Sequence, residues 1–177
     1  LMAIDLLKRV IKINTEEEVI NELSKNYRIL SIYYYEAAEL QHNLENYQKS
    51  VKYIKVSVDL LENSTEVRSA YSAYYYAHYS DKLATITNNK EDYIEAVKAA
   101  EGYISLKQSD IEVQRYYYTE IRHLYLLSML ANISLNPIWK EAYLRLCKKL
   151  EEIEFKDVED EIKTTYHKMI SDIINSN

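Results

Sequence analysis

The sequence predicts an all-α chain built from three copied helical hairpins, and three observations lead there. Tyr47, Tyr93 and Trp139 stand 46 residues apart, each just inside an apparent helix and each followed three positions later by a small residue, Ser50, Ala96 or Ala142. The same offset carries through whole faces. One stripe reads Val51/Val97/Tyr143, Ile54/Ala100/Leu146 and Val58/Ile104/Leu150, and a stripe on the preceding helix reads Ile29/Tyr75/Ile121, Tyr33/Tyr79/Tyr125 and Ala37/Leu83/Met129. Finally, one Gly and one Pro in 177 residues leave too little turn chemistry for sheets, whereas long helices tolerate their absence.

A fixed period of this length marks a stacked array in which no unit can hide its apolar face alone. The whole chain, 1–177, is therefore expected to be a single α-solenoid domain. Residues 1–14 form a capping helix with Ile4, Leu7, Val10 and Ile11 on one side and Lys8, Arg9 and Lys12 on the other. Repeat 1 covers 15–63. Thr15 and Glu18 make a capping box for a helix to about 43, and Asn46 opens its partner, which runs to about Glu62. Repeat 2 covers 64–109, opening at Ser64 or Thr65, breaking at Asn88-Asn89 and ending near Gln108. Repeat 3 covers 110–155, with a capping box at Ser109 and Glu112 and a break before Asn136-Pro137, where Asn suits the cap and Pro the first helical position. The 46-residue offset predicts connections of equal length in every repeat. Residues 156–177 hold a closing helix that starts at Asp157.

Charge and composition narrow the function. The 22 Lys and Arg against 28 Asp and Glu give a formal charge of −6, which opposes a nucleic-acid partner. Lys49, Lys52 and Lys55 lie three apart as a solvated outer face. Single Cys147 fits a buried inert thiol in a reducing compartment. No apolar run has the length of a membrane span and no signal-like segment opens the chain, so a cytoplasmic location without membrane partners is expected. The chain begins at Leu1 rather than Met, and a further domain upstream would leave this reading of the helices unchanged.

The segments Glu45-Asn-Tyr-Gln-Lys-Ser50-Val and Glu91-Asp-Tyr-Ile-Glu-Ala96-Val resemble the inter-helix turn and second helix of a tetratricopeptide repeat, and Ala38 and Ala84 sit where that family places a small residue in its first helix. Leu130 replaces the third such residue, Tyr103 and Lys149 occupy a later small position, and the period exceeds the family's usual value of about 34. The resemblance, over residues 15–153, implies a right-handed α-α superhelix that binds peptides or partner proteins along a groove lined by first helices. Several peptide-sensing regulators carry such an array behind a DNA-binding domain.

Chemistry-bearing motifs are sparse. Glu39/His42 and Glu120/His123 have the Glu-x-x-His spacing used by di-iron bundles, but they fall on first helices with a whole unit between them and in registers that differ by 11 residues. No Gly-rich phosphate loop is present, no nucleophile stands beside an evident base, and no Arg precedes a His at the spacing of the helical R-x(4-6)-H ribonucleases. Neither metal nor cofactor is expected. Nineteen of 21 aromatics are Tyr, with triplets at 33–35, 74–76 and 116–118 in first helices. Because successive helical residues point about 100° apart, each triplet turns rings both inward and outward. Tyr with its apolar ring and polar tip anchors protein interfaces well.

The predicted groove is the polar side of the first helices: Arg28, Ser31, Tyr35 and His42 in repeat 1, Tyr74, Ala77 and Asp81 in repeat 2, and Glu120 and His123 in repeat 3. Of these, Arg28, Tyr35, Tyr74, Asp81, Glu120 and His123 are the candidate partner-binding residues. The expected function is a non-enzymatic scaffold that binds a protein or peptide. Homo-oligomeric assembly, and the sensor part of a regulator, are the alternatives, followed by a metal-dependent enzyme that uses Glu39, His42, Glu120 and His123.

Overall fold

A computed structural model of the protein describes residues 4, 5, 8, 20–61, 67–106, 112–134 and 136–176, with the backbone alone for 67–69. Among them are seven helices and no strand: α1 (Ile20–Gln41), α2 (Leu44–Leu60), α3 (Val67–Thr87), α4 (Lys90–Ile104), α5 (Val113–Ile133), α6 (Pro137–Glu151) and α7 (Asp160–Asn175). Each of α1 to α6 packs on its neighbours in sequence. Beyond that, α3 also meets α5, and α7 closes over α5 and α6.

Asparagine starts the second helix of every pair. Asn43, Asn89 and Asn136 are N-caps whose side chains accept from the backbone N–H of Asn46, Asp92 and Ile138 at 3.2, 2.8 and 3.1 Å. The cap at 43 corrects the expected start at Asn46. In the first two turns the residue before the cap, His42 or Asn88, takes a left-handed backbone with φ of 49° or 50°, a conformation that short polar side chains tolerate best. Pro137 opens α6 as expected. The capping boxes at Thr15 and Ser109, the opening at Ser64 or Thr65, and the ends at Glu62 and Gln108 lie outside the described residues, although Glu112 proves to be the N-cap of α5.

The connections are not all equal. Two residues separate α1 from α2 and α3 from α4, but three separate α5 from α6. Tyr143 and Leu150 of the expected stripe are buried, but the extra residue puts Cys147 in the place expected for Leu146, so that Tyr143, Cys147 and Leu150 align with Ala96, Ala100 and Tyr103. Trp139 is accordingly only half-buried, and exposed Lys149 leaves the inner position to Leu150. Of the expected first-helix stripe Tyr79, Leu83 and Ile121 are buried, but its centre lies one residue further on. Tyr34/Ser80/Leu126 and Ala38/Ala84/Leu130 are buried in all three copies, while Tyr33 is exposed and Ile29 and Tyr75 are half-buried.

The apolar interior is a succession of three clusters. Ile4, Leu30 and Tyr34 form the first; Ala38, Tyr47, Ile54, Tyr76, Tyr79 and Tyr103 belong to the second; and Tyr93, Ile121, Leu130, Leu150, Phe155 and Tyr166 to the third. Small polar residues bring α1, α2 and α3 close: the hydroxyls of Ser24 and Ser57 lie 2.8 Å apart and those of Ser57 and Ser72 2.9 Å apart, all buried. At the far end the link between α6 and α7 is itself core. Phe155 and Val158 are buried there, and Asp157 has φ 56°, so α7 begins at Asp160 rather than at Asp157. The Tyr166 hydroxyl ties α7 to α5 by donating to the carbonyl of Gln114 at 3.0 Å.

Tyr93 is 1% exposed, and Tyr93→Ala is expected to lower stability by about 3–5 kcal/mol. Leu144→Ala, on the outer side of α6, is expected to change it by no more than about 0.5 kcal/mol. Thermal melts followed by circular dichroism measure both, and equal losses would contradict the register assigned to α4 and α6.

Candidate functional site

The first helices α3 and α5 meet along a polar seam. The Arg122 guanidinium donates from Nε to Asp81 Oδ2 at 2.6 Å and from Nη2 to Oδ1 at 2.7 Å, a bidentate pair largely withdrawn from water. Around it stand Tyr74, Ala77 and His78 of α3, Ala100 of α4, and Tyr118, Thr119 and Leu126 of α5. The space left among them is about 10 Å³, room for roughly one water. His78 lies between Tyr35 and Tyr74, with ring centroids at 5.6 and 6.1 Å. Burial pushes its imidazole pKa down, against the opposing pull of Asp81.

Nearer the start of these helices an aromatic and two cations form an outward face. Tyr71 of α3 is 47% exposed. The guanidinium of Arg28 on α1 lies 5.9 Å from its ring centroid, and that of Arg115 on α5 lies 5.6 Å from it and 4.8 Å from the ring of Tyr74. Glu112 pairs with Arg115 at 3.1 Å. Three helices thus contribute side chains to one patch.

Of the candidates from sequence, Tyr74 and Asp81 share the seam and Arg28 joins the outward face. Tyr35 is absorbed into packing, stacked on Tyr79 at 4.2 Å and 13° and set edge-on to Tyr47, and burial pushes its phenol pKa well up. Ser31 is buried and Ala77 lines the seam. His42 is exposed in the first turn. Glu120 and His123 are not brought to the others. Glu120 is 2% exposed and held by Lys149 of α6 and, at 3.1 Å, by the Tyr116 hydroxyl; His123 Nε2 faces Glu101 of α4 at 3.6 Å.

Tyr71, His78, Arg115, Tyr118 and Arg122 were missed. Equivalent positions in successive copies point the same way, so the side of α3 that faces α5 is met by the opposite side of α5, not by its own equivalents at 120 and 123. Arg115, Tyr118 and Arg122, at i, i+3 and i+7, were the legible signal of that opposite side.

The carboxylates outside the seam serve as braces. Glu39 accepts from the Tyr47 hydroxyl at 2.7 Å and lies 3.1 Å from Lys82, and the Tyr47 bond foremost, with Lys82, holds its pKa below the usual range. Glu95 is pushed up by burial, but its bonds from Lys55 and Tyr76 outweigh that and leave it lowered. No three His, Cys, Asp or Glu among the described residues lie close enough to hold a metal ion. No helix among them is long and apolar enough to cross a membrane.

No protein-family model matches the chain, and no curated protein matches it. Among solved structures it is similar to one described as "DHF79 filament", at 16% identity and a TM-score of 0.45, over 95% of this chain and 93% of that chain. A likeness of that degree carries nothing about how this protein assembles or what it binds.

Removing one member of the Asp81–Arg122 pair strands the other, so Arg122→Ala is expected to cost about 3–5 kcal/mol, and Asp81→Ala/Arg122→Met distinctly less than Arg122→Ala alone. Urea titrations of both variants check this. A lowered carboxyl pKa stabilises the fold fully above its unfolded value and loses that contribution as pH falls through the folded value. The melting temperature should therefore drop as pH falls below about 4.3, and less steeply in Glu39→Gln/Glu95→Gln.

Proposed function

We propose that the chain is a tetratricopeptide-like α-solenoid, superhelical and right-handed, which acts as a non-enzymatic scaffold for a protein segment or peptide bound along its first helices. The observation that carries this is Tyr71, half-exposed on α3 between the guanidiniums of Arg28 on α1 and Arg115 on α5. Tyr and Arg are the residue types most concentrated at the energetic centres of protein interfaces, because ring and guanidinium bring large contact area and directed donors at modest ordering cost. Support for the repeat architecture comes from the recurring Asn caps at 43, 89 and 136 and from consecutive helix packing. In this proposal Arg28, Tyr71, Tyr74 and Arg115 contact the partner, Asp81 and Arg122 hold α3 against α5 beneath them, and no residue performs chemistry.

A photo-crosslinking amino acid placed at position 71, and separately at exposed Tyr33, tests the assignment in lysate of the native host. Discrete protein adducts from position 71 that are absent from position 33 are the expected outcome. Identical adducts from both positions, or none from 71, would rule the face out.

A further inference from the structure

The most exposed large apolar side chain among the described residues is Leu40, at 84%. It stands at the end of α1, and Leu44 at the start of α2 is exposed beside it across the turn. That turn is firmly held: Asn43 caps α2, His42 takes the left-handed conformation, and the Tyr47 hydroxyl reaches back to Glu39. Two leucines are thus presented on a rigid support that gives them no cover, in a fold that needs neither of them outside.

At the opposite end of the chain lies a groove of about 510 Å³ between α5, α6 and the last turn of α7. Ala131, Tyr143, Leu144, Cys147 and Ile174 give it an apolar lining, and Leu144 is 55% exposed. Its volume lies in the range of sites that enclose small apolar groups. Lys140 and Lys148 flank it, against the single carboxylate of Glu151. The leucine-bearing turn has the reverse balance: Glu36, Glu39 and Glu45 stand on it or near it, with Lys82 and Lys49 engaged by the last two. Apolar surface is matched to apolar surface, and the one net negative charge of the turn, left by Glu36, to the one net positive charge of the groove. Because α1 and α2 pack on one another and on α3, away from α5 to α7, a copy cannot fill its own groove.

We propose that copies of this chain associate head to tail, the α1–α2 turn of one copy seating Leu40 and Leu44 in the α5–α6–α7 groove of the next. The two surfaces differ, so the contact is heterologous and propagates into open chains or closed rings instead of stopping at a two-fold dimer. The partner-binding face at Tyr71 plays no part in it, and either assignment stands without the other.

Sedimentation velocity on the full chain from about 5 to about 500 μM is the test. Wild type should grow beyond dimer as concentration rises. Leu40→Asp and Leu144→Asp, both checked for native helicity by circular dichroism, should each self-associate at least tenfold more weakly. An equimolar mixture of the two should then form a heterodimer that grows no further, because each variant retains the surface the other has lost. Wild type that stays monomeric, Leu40→Asp that assembles like wild type, or a mixture that stays monomeric would each overturn the proposal.

Discussion

The structure depends on α4 being buried on two sides. Tyr93, Ala96 and Val97 pack toward α5 to α7, while Ala99 and Tyr103 pack toward α2 and α3. A helix with that much apolar surface has no stable existence in water by itself, and its neighbours α3 and α5, each packed against several helices, have the same problem. Burial is therefore shared, cluster to cluster, along the chain. Position in the array sets how much of a helix can be apolar: α4 carries two buried sides, whereas α1 exposes Glu22, Lys25, Tyr33, Glu36 and Leu40.

Shared burial sets the rules for polar groups as well. Helices that approach closely must find partners for the charges they trap, and Asp81 pairs with Arg122 between α3 and α5, Glu95 with Lys55 and Tyr76 among α2, α3 and α4, and Glu120 with Lys149 between α5 and α6, whereas Asn26 Nδ2 and Ser80 Oγ are buried without a hydrogen bond. The Asp81–Arg122 pair, withdrawn from water on both sides, is directional and costs far more to leave unpaired than it contributes when made. Such pairs fix the rotation of one helix against the next, a quantity that apolar packing specifies only loosely. The serine column of Ser24, Ser57 and Ser72 does the same at shorter range. Tyrosine joins both tasks. Its ring fills the interval between helices, as in the Tyr35–Tyr79 stack, and its hydroxyl finds a carboxylate or carbonyl at the edge, as Tyr47 does with Glu39 and Tyr166 with Gln114.

The placement of side chains at the candidate site follows from this geometry. Arg28, Tyr71, Tyr74 and Arg115 come from three helices whose sequences are 41 or more residues apart at the contacts concerned, and only the rotation of α3 and α5 about the Asp81–Arg122 pair sets which of them look outward. Tyr35, identical in kind to Tyr71, is half-buried because it meets Tyr79 and Tyr47.

The sequence by itself determined the helical class, the pairing of helices, and the Asn-centred breaks at 88–89 and 136–137, because these rest on local chemistry: period, caps, and the shortage of Gly and Pro. Tertiary structure decided the faces. One extra residue between α5 and α6 left Tyr143 and Leu150 of the expected stripe inside but turned Trp139 and Leu146 part-way out and put Cys147 in the inner place, a shift no periodicity could register because the apolar residues on either side fit both alignments. The partner of Asp81 was likewise beyond the period, since contact between successive copies joins unlike sides of like helices. Repetition copies a helix and its direction, but which side meets a neighbour depends on rotations set by packing in three dimensions.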